Sequence, residues 1–122
     1  MRLTNAQAEK MGLIDRPSKY GAQLKKVDGI TFHSKKEANY YRYLIQARDK
    51  AKTVHYFLRQ VPFDLGGGTK YRVDFVVFYT DGRIEYIDVK GYETPDFKRS
   101  KKQVEALYPV EISVVKKIPR GI

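Results

Sequence analysis

Three ionisable residues at fixed spacing hold most of the chemistry in this 122-residue chain: Asp74, Asp88 and Lys90, inside YRVDFVVFYTDGRIEYIDVKG, residues Tyr71 to Gly91. Runs of Val, Ile, Phe and Tyr on either side of Asp81-Gly82 signal a β-hairpin. Its register decides whether the aspartates meet. A two-residue loop puts Asp74 opposite Val89 and the carboxylates on opposite faces, because side chains alternate along a strand. A three-residue loop, Thr80-Asp81-Gly82 with the glycine left-handed as a bulge, puts Tyr79 opposite Arg83 and Asp74 opposite Asp88. Opposed residues have Cβ atoms about 4.5–5.5 Å apart, and Lys90 shares their face. The three-residue register is the expected one. Two carboxylates side by side at the edge of a buried sheet repel each other unless a cation or a proton lies between them. A divalent metal with oxygen ligands would answer that repulsion. So would an ion pair of Asp74 with Arg72 or Lys90, and the spacing alone leaves both readings open.

In this register one face of the hairpin carries Asp74, Val76, Phe78, Ile84, Tyr86, Asp88 and Lys90. The other carries Val73, Phe75, Val77, Ile87 and Val89, with Glu85 near the turn. Both are apolar in the middle, which predicts a central hairpin covered on both sides.

The elements around it can be read from caps and breakers. Ser34-Lys35-Lys36-Glu37 is a capping box that opens a helix running to about Lys50 or Ala51. Glu37 heads the core-facing stripe of Tyr41, Leu44, Ile45 and Arg48. Capping alone accounts for Glu37, yet a carboxylate at that height can also point over the end of the sheet. Before the helix, residues 1–26 form a basic arm with Lys19, Lys25 and Lys26, either laid along phosphates or a mobile terminus. A single domain is expected over 27–122, starting with a short turn and strand at Val27 to Phe32. Val54 to Leu65 reads as an extended strand that tolerates Pro62 at an edge or bend. Gly66-Gly67-Gly68-Thr69 is a hairpin connection; no helix with the Walker lysine pattern follows, which excludes a phosphate cradle.

After the hairpin, Thr94-Pro95-Asp96 starts a second helix that stops before Pro109. Phe97, Val104, Leu107 and Tyr108 form its apolar stripe. Lys98, Arg99, Lys101 and Lys102 dominate its other surface, either as a solvated face or as a track for phosphates. Val110 to Ile118 is a last strand, parallel to the second hairpin strand through a right-handed crossover. His33 and His55 read as structural or surface residues.

Composition bounds the partners. Twenty-four Lys and Arg against fourteen Asp and Glu leave a formal charge of +10, which predicts a polyanion, most often nucleic acid. Ten tyrosines and six phenylalanines add stacking surface. With 42% hydrophobic and 31% charged residues the chain is an ordinary globular domain. It has no apolar run of roughly 18 residues for a membrane span and no signal-peptide core at its start. Absence of cysteine excludes disulfides and thiolate zinc, and fits a cytoplasmic location.

A helix with Glu, a strand with Asp, then Asp-x-Lys, a basic helix and a strand: in this order the chain resembles the PD-(D/E)XK nuclease superfamily. Within it, the chain looks most like a small phage-borne group of domains of unassigned function. The matching segments are SKYG (Ser18–Gly21), VDGITFHSKKEANYY (Val27–Tyr41), YRVDF (Tyr71–Phe75) and YIDVKG (Tyr86–Gly91). It is also similar to endonuclease I-type junction resolvases and to the endonuclease subunits of some transposons.

The resemblance implies an α/β fold with a restriction-endonuclease-like core: a central mixed β-sheet flanked by helices on both faces. It implies a Mg²⁺-dependent DNA endonuclease, with Mn²⁺ as a substitute. Asp74 and Asp88 would be the principal ligands, the Val89 carbonyl a further one, and Glu37 a ligand directly or through water. Lys90 would position and polarise the attacking water, and Gln60 matches a glutamine that precedes the first aspartate in several of these nucleases. Lys35 and Lys36 would join the basic helix in holding DNA. The resolvase likeness adds branched DNA such as a Holliday junction, a homodimer, and a role in recombination in a bacterial host. Val73 replaces the proline of the name motif and Asp88 stands where many members have Glu; neither change removes a ligand. The alternatives are a nicking or double-strand endonuclease for replication or packaging, an enzyme acting on RNA, and a non-catalytic DNA-binding protein on a nuclease-like scaffold.

Overall fold

Turn chemistry sets the strand pairings. The structure, a computed structural model, describes residues 25–119, so the expected basic arm lies outside the described residues except for Lys25 and Lys26. Those two lysines belong to strand β1 (Lys25–Val27), which pairs antiparallel with β2 (Ile30–Phe32). Asp28 and Gly29 between them have φ of 54° and 76°, the left-handed pair that a two-residue hairpin turn requires. Helix α1 (Lys35–Asp49) starts where the capping box predicts, with the Ser34 hydroxyl accepting the Glu37 N–H at 3.0 Å.

Strand β3 (Val54–Gly66) and strand β4 (Thr69–Tyr79) form a long antiparallel ribbon turned by Gly67-Gly68. Strand β5 (Ile84–Val89) returns along β4, helix α2 (Pro95–Leu107) crosses over, and strand β6 (Ile112–Val115) pairs with β5 in parallel. The strand order is β3-β4-β5-β6, a four-stranded mixed sheet with the β4–β5 hairpin at its centre and β3 at an edge. The last strand is shorter than Val110 to Ile118. Past Val115 the chain turns off the sheet, and Lys116 pairs with Glu93 at 2.9 Å while its carbonyl accepts Lys36 Nζ at 2.7 Å.

The central register is the three-residue one. Phe78 pairs with Ile84 and Phe75 with Ile87, Tyr79 N–H donates to the Arg83 carbonyl at 2.9 Å, and Gly82 has φ of 94°. The next pair in that register is Asp74 with Asp88.

Two apolar groups, one per face, hold the layers together. Phe75, Val77, Ile87 and Val89 pack against Ala38, Tyr40, Tyr41, Leu44 and Ala47 of α1. Val73 and Ile112 pack with Val104 of α2, flanked by Phe63, Tyr71, Tyr86 and Tyr108. Val73 and Phe75 have the same parity on β4 yet join different groups. Between them stand Asp74 and, across on β3, Gln60, which has φ of 51° and drops out of a ladder whose neighbouring pairs are Arg59–Phe75 and Val61–Val73. A non-glycine residue in that conformation is held at a cost of about 1–3 kcal/mol by its surroundings. Here it lets the ribbon change the side it buries. Among the described residues, no helix is long and apolar enough to cross a membrane.

Candidate functional site

Where the β4–β5 ladder ends, carboxylates take over the hydrogen bonds of the backbone. Asp88 Oδ1 accepts the Asp74 N–H at 3.0 Å, and Asp74 Oδ2 accepts the Val89 N–H at 2.9 Å. The second oxygen of Asp88 accepts the Tyr71 hydroxyl. The Gln60 amide nitrogen donates to Asp74 Oδ1 at 3.2 Å and to Glu37 Oε2 at 3.1 Å, which links α1 to the sheet. Among the described residues neither Arg72 nor Lys90 forms an ion pair with Asp74. The two aspartates are therefore reconciled by N–H and O–H donors rather than by a basic side chain.

These donors do not remove the electrostatic cost. Asp88 is fully buried, and burial pushes its carboxyl up to about 6; the Tyr71 hydrogen bond opposes the rise and the Asp74 charge adds to it. Glu37, 5% exposed, rises to about 7, first through burial and then through Asp74, against weaker pulls from Arg59, Gln60 and Lys90. Lys90 reaches the same end of the sheet from beyond β5, its ammonium 5.0 Å from the centre of the Phe97 ring. A cavity of about 350 Å³ opens there, lined by His33, Ser34, Glu37, Gln60, Asp74, Val89, Lys90 and Gly91. Asp88 lies behind Asp74, outside that lining.

A model of the family described as "Protein of unknown function (DUF1064)" matches residues 17–120. The chain belongs to the DUF1064 family. No curated protein and no solved structure matches it. The matched segment spans all the described strands and the two described helices, so the carboxylates, Gln60 and Lys90 are parts of the DUF1064 domain itself.

The donors of this DUF1064 site suit Mg²⁺ in type, since that ion takes carboxylate, carbonyl and water oxygens. The Gln60 amide nitrogen marks a spot between Glu37 and Asp74 where positive charge is stabilised from both sides. Yet among the described residues no three His, Cys, Asp or Glu side chains already gather as a cage. Glu37 and Asp74 face the cavity; Asp88 does not, and each of its oxygens already accepts one hydrogen bond.

The expected nucleic-acid contacts divide. Lys35, Lys98 and Lys102 are exposed. Arg99 pairs with Asp96 at 3.3 Å, and Lys101 pairs with Glu105 at 3.0 Å, whose other contact is the Ile112 N–H at 2.8 Å. That makes Lys101 part of the tie between α2 and β6. Lys36 ties α1 to the end of β6. None of these six residues lines the cavity. Glu85 lies at the turn end, where it accepts the Tyr79 hydroxyl. His55 is exposed, while His33 stands at the cavity rim.

Two site residues escape a reading of the sequence. Strand parity assigns Tyr71 to the face away from Asp88, and only the change of side at Gln60 and Asp74 brings its hydroxyl round. Arg59, whose charge bears on Glu37, stacks its guanidinium 4.6 Å over Phe32. A long-range contact of that kind leaves no local pattern.

Proposed function

We propose that this DUF1064 domain is a metal-dependent DNA endonuclease with a PD-(D/E)XK-type site on a restriction-endonuclease-like core. The observation that carries the proposal is the convergence of Glu37, Gln60, Asp74 and Lys90 on one polar cavity at the end of a mixed sheet. Mg²⁺ would be held by Glu37, Asp74, Asp88 and the Val89 carbonyl. Held there, the ion would supply a lowered pKa for a bound water and positive charge against the scissile phosphate. Lys90, which also lines the cavity, would position and polarise the attacking water and offset negative charge as it develops on the phosphate. Lys35, Lys98 and Lys102 supply exposed positive charge for the DNA backbone, in keeping with the net +10. The substrate is branched DNA such as a Holliday junction, cut by a homodimer that places one site on each of two strands, in the cytoplasm of a phage-infected bacterium.

One observation favours a second reading, a non-catalytic DNA-binding domain: Asp88 is fully buried with both oxygens already satisfied. A thermal-shift titration with Mg²⁺ or Mn²⁺ separates the two. The nuclease gains about 2.7 kcal/mol of stability at a cation concentration a hundred times the dissociation constant. The binding scaffold gains nothing beyond the effect of ionic strength.

A further inference from the structure

Asp88 is the carboxylate the cavity does not reach. Its Oδ1 is tied to the Asp74 N–H and its other oxygen to the Tyr71 hydroxyl, whereas Asp74 Oδ1 faces the cavity with the Gln60 amide as its donor. A cation entering the cavity meets Glu37 and Asp74 first, and at the second oxygen of Asp88 it competes with the Tyr71 hydroxyl, the one donor on that atom among the described residues. We infer that Tyr71 is a displaceable cap on Asp88: its hydroxyl occupies the carboxylate oxygen a divalent cation needs, and leaves as the cation binds. This rests on the reading of the cavity as a cation site.

The surroundings allow the movement. Tyr71 lies near the free end of the β3–β4 ribbon, beyond the point where β5 stops pairing with β4. The turn beyond it, Gly67-Gly68, stands in open space, with nothing within 4 Å of where a side chain would begin. The Tyr71 oxygen is fixed on its ring, so the cap comes off by a tilt of the whole ring across Phe97, whose centre is 6.3 Å away in a tilted rather than stacked arrangement. The remaining bond, Asp74 N–H to Asp88 Oδ1, keeps the two strands joined when the cap is off.

The test is calorimetric titration of Mn²⁺ into the full-length protein and its Tyr71→Phe, Asp74→Asn variants. Phenylalanine keeps the ring on Phe97 and removes only the hydroxyl. The cap predicts two changes of opposite direction in Tyr71→Phe: a lower melting temperature without metal, because a buried oxygen loses its donor, and Mn²⁺ binding tighter by about tenfold. A tyrosine with a merely structural role lowers stability and leaves affinity unchanged or weaker, and that result overturns the cap alone. Cation binding that is absent, or that survives Asp74→Asn, overturns the site and the cap together. Should Tyr71→Phe fail to fold, Mg²⁺ titration of wild-type protein with carbon-labelled tyrosine decides. The Tyr71 ring resonance moves in step with saturation if the hydroxyl is displaced, and a stationary resonance overturns the cap.

Discussion

The β4–β5 hairpin carries acids at both ends, and the two ends treat them in opposite ways. At the turn, Asp81 accepts the Arg83 N–H and Nε, each at 2.9 Å, and these bonds hold its carboxyl below the usual range. Arg83 also lies 4.4 Å over the Tyr79 ring, and the Tyr79 hydroxyl reaches Glu85. At the other end, Asp88 and Glu37 are pushed up by burial and by Asp74, while the Lys90 ammonium sits over the Phe97 ring. An acid neutralised by its own neighbour serves the turn. Acids buried together without an ion-pair partner carry a desolvation cost, and perturbed carboxyls in a cleft mark a candidate functional site.

The largest effect that would sharpen this contrast comes from neutralising one acid at each end. Asp88→Asn should abolish the stability gained from Mn²⁺ and cost about 1–3 kcal/mol by setting an amide against a buried donor. Asp81→Asn should leave the Mn²⁺ response intact and the melting temperature close to wild type. An equal loss of the Mn²⁺ response in both variants would break the comparison.

A smaller difference lies in pH dependence. Glu37 titrates near 7 in the folded protein against 4.5 unperturbed, and Asp88 near 6 against 3.8. The folded state therefore binds more protons than the unfolded one, so stability without metal falls as pH rises from about 4 through about 7. Asp81 acts with the opposite sign: its contribution is present above 3.8 and lost as pH falls through its depressed folded value. Urea denaturation between about pH 5 and pH 8 should show the fall, Glu37→Gln should shrink it, and saturating Mg²⁺ should offset it. The smallest effect belongs to the turn backbone. Gly82→Ala, at φ of 94°, should cost about 1–2 kcal/mol in urea denaturation and leave Mn²⁺ affinity unchanged.

Much of the frame was legible because local chemistry determines it. Gly82 in the left-handed region chose the three-residue loop, and that loop brought Asp74 opposite Asp88. Ser34 and Thr94-Pro95 placed both helix starts, and the Thr94 hydroxyl accepts the Phe97 N–H at 3.1 Å. What stayed hidden depends on contacts distant in sequence. Nothing in LRQVPF announces that Gln60 takes a left-handed conformation, so neither the change of buried side nor the approach of Tyr71 to Asp88 could be read. Lys25 and Lys26 looked like arm because their strand exists only through pairing with Thr31 and Phe32. Lys36 and Lys101 looked like free charge, since their partners lie just past β6 and one helical turn away.

Cleavage itself tests the central claim most directly. Labelled four-way junction, flap, single-stranded and linear duplex DNA would be incubated with Mg²⁺, Mn²⁺ or EDTA, using wild-type protein and Lys90→Ala. The site predicts metal-dependent cutting that falls at least about a hundredfold in the variant, with the four-way junction cut best. Tight DNA binding without cutting on every substrate and metal, or cutting that Lys90→Ala leaves unchanged, would contradict the assignment of a nuclease to this cavity.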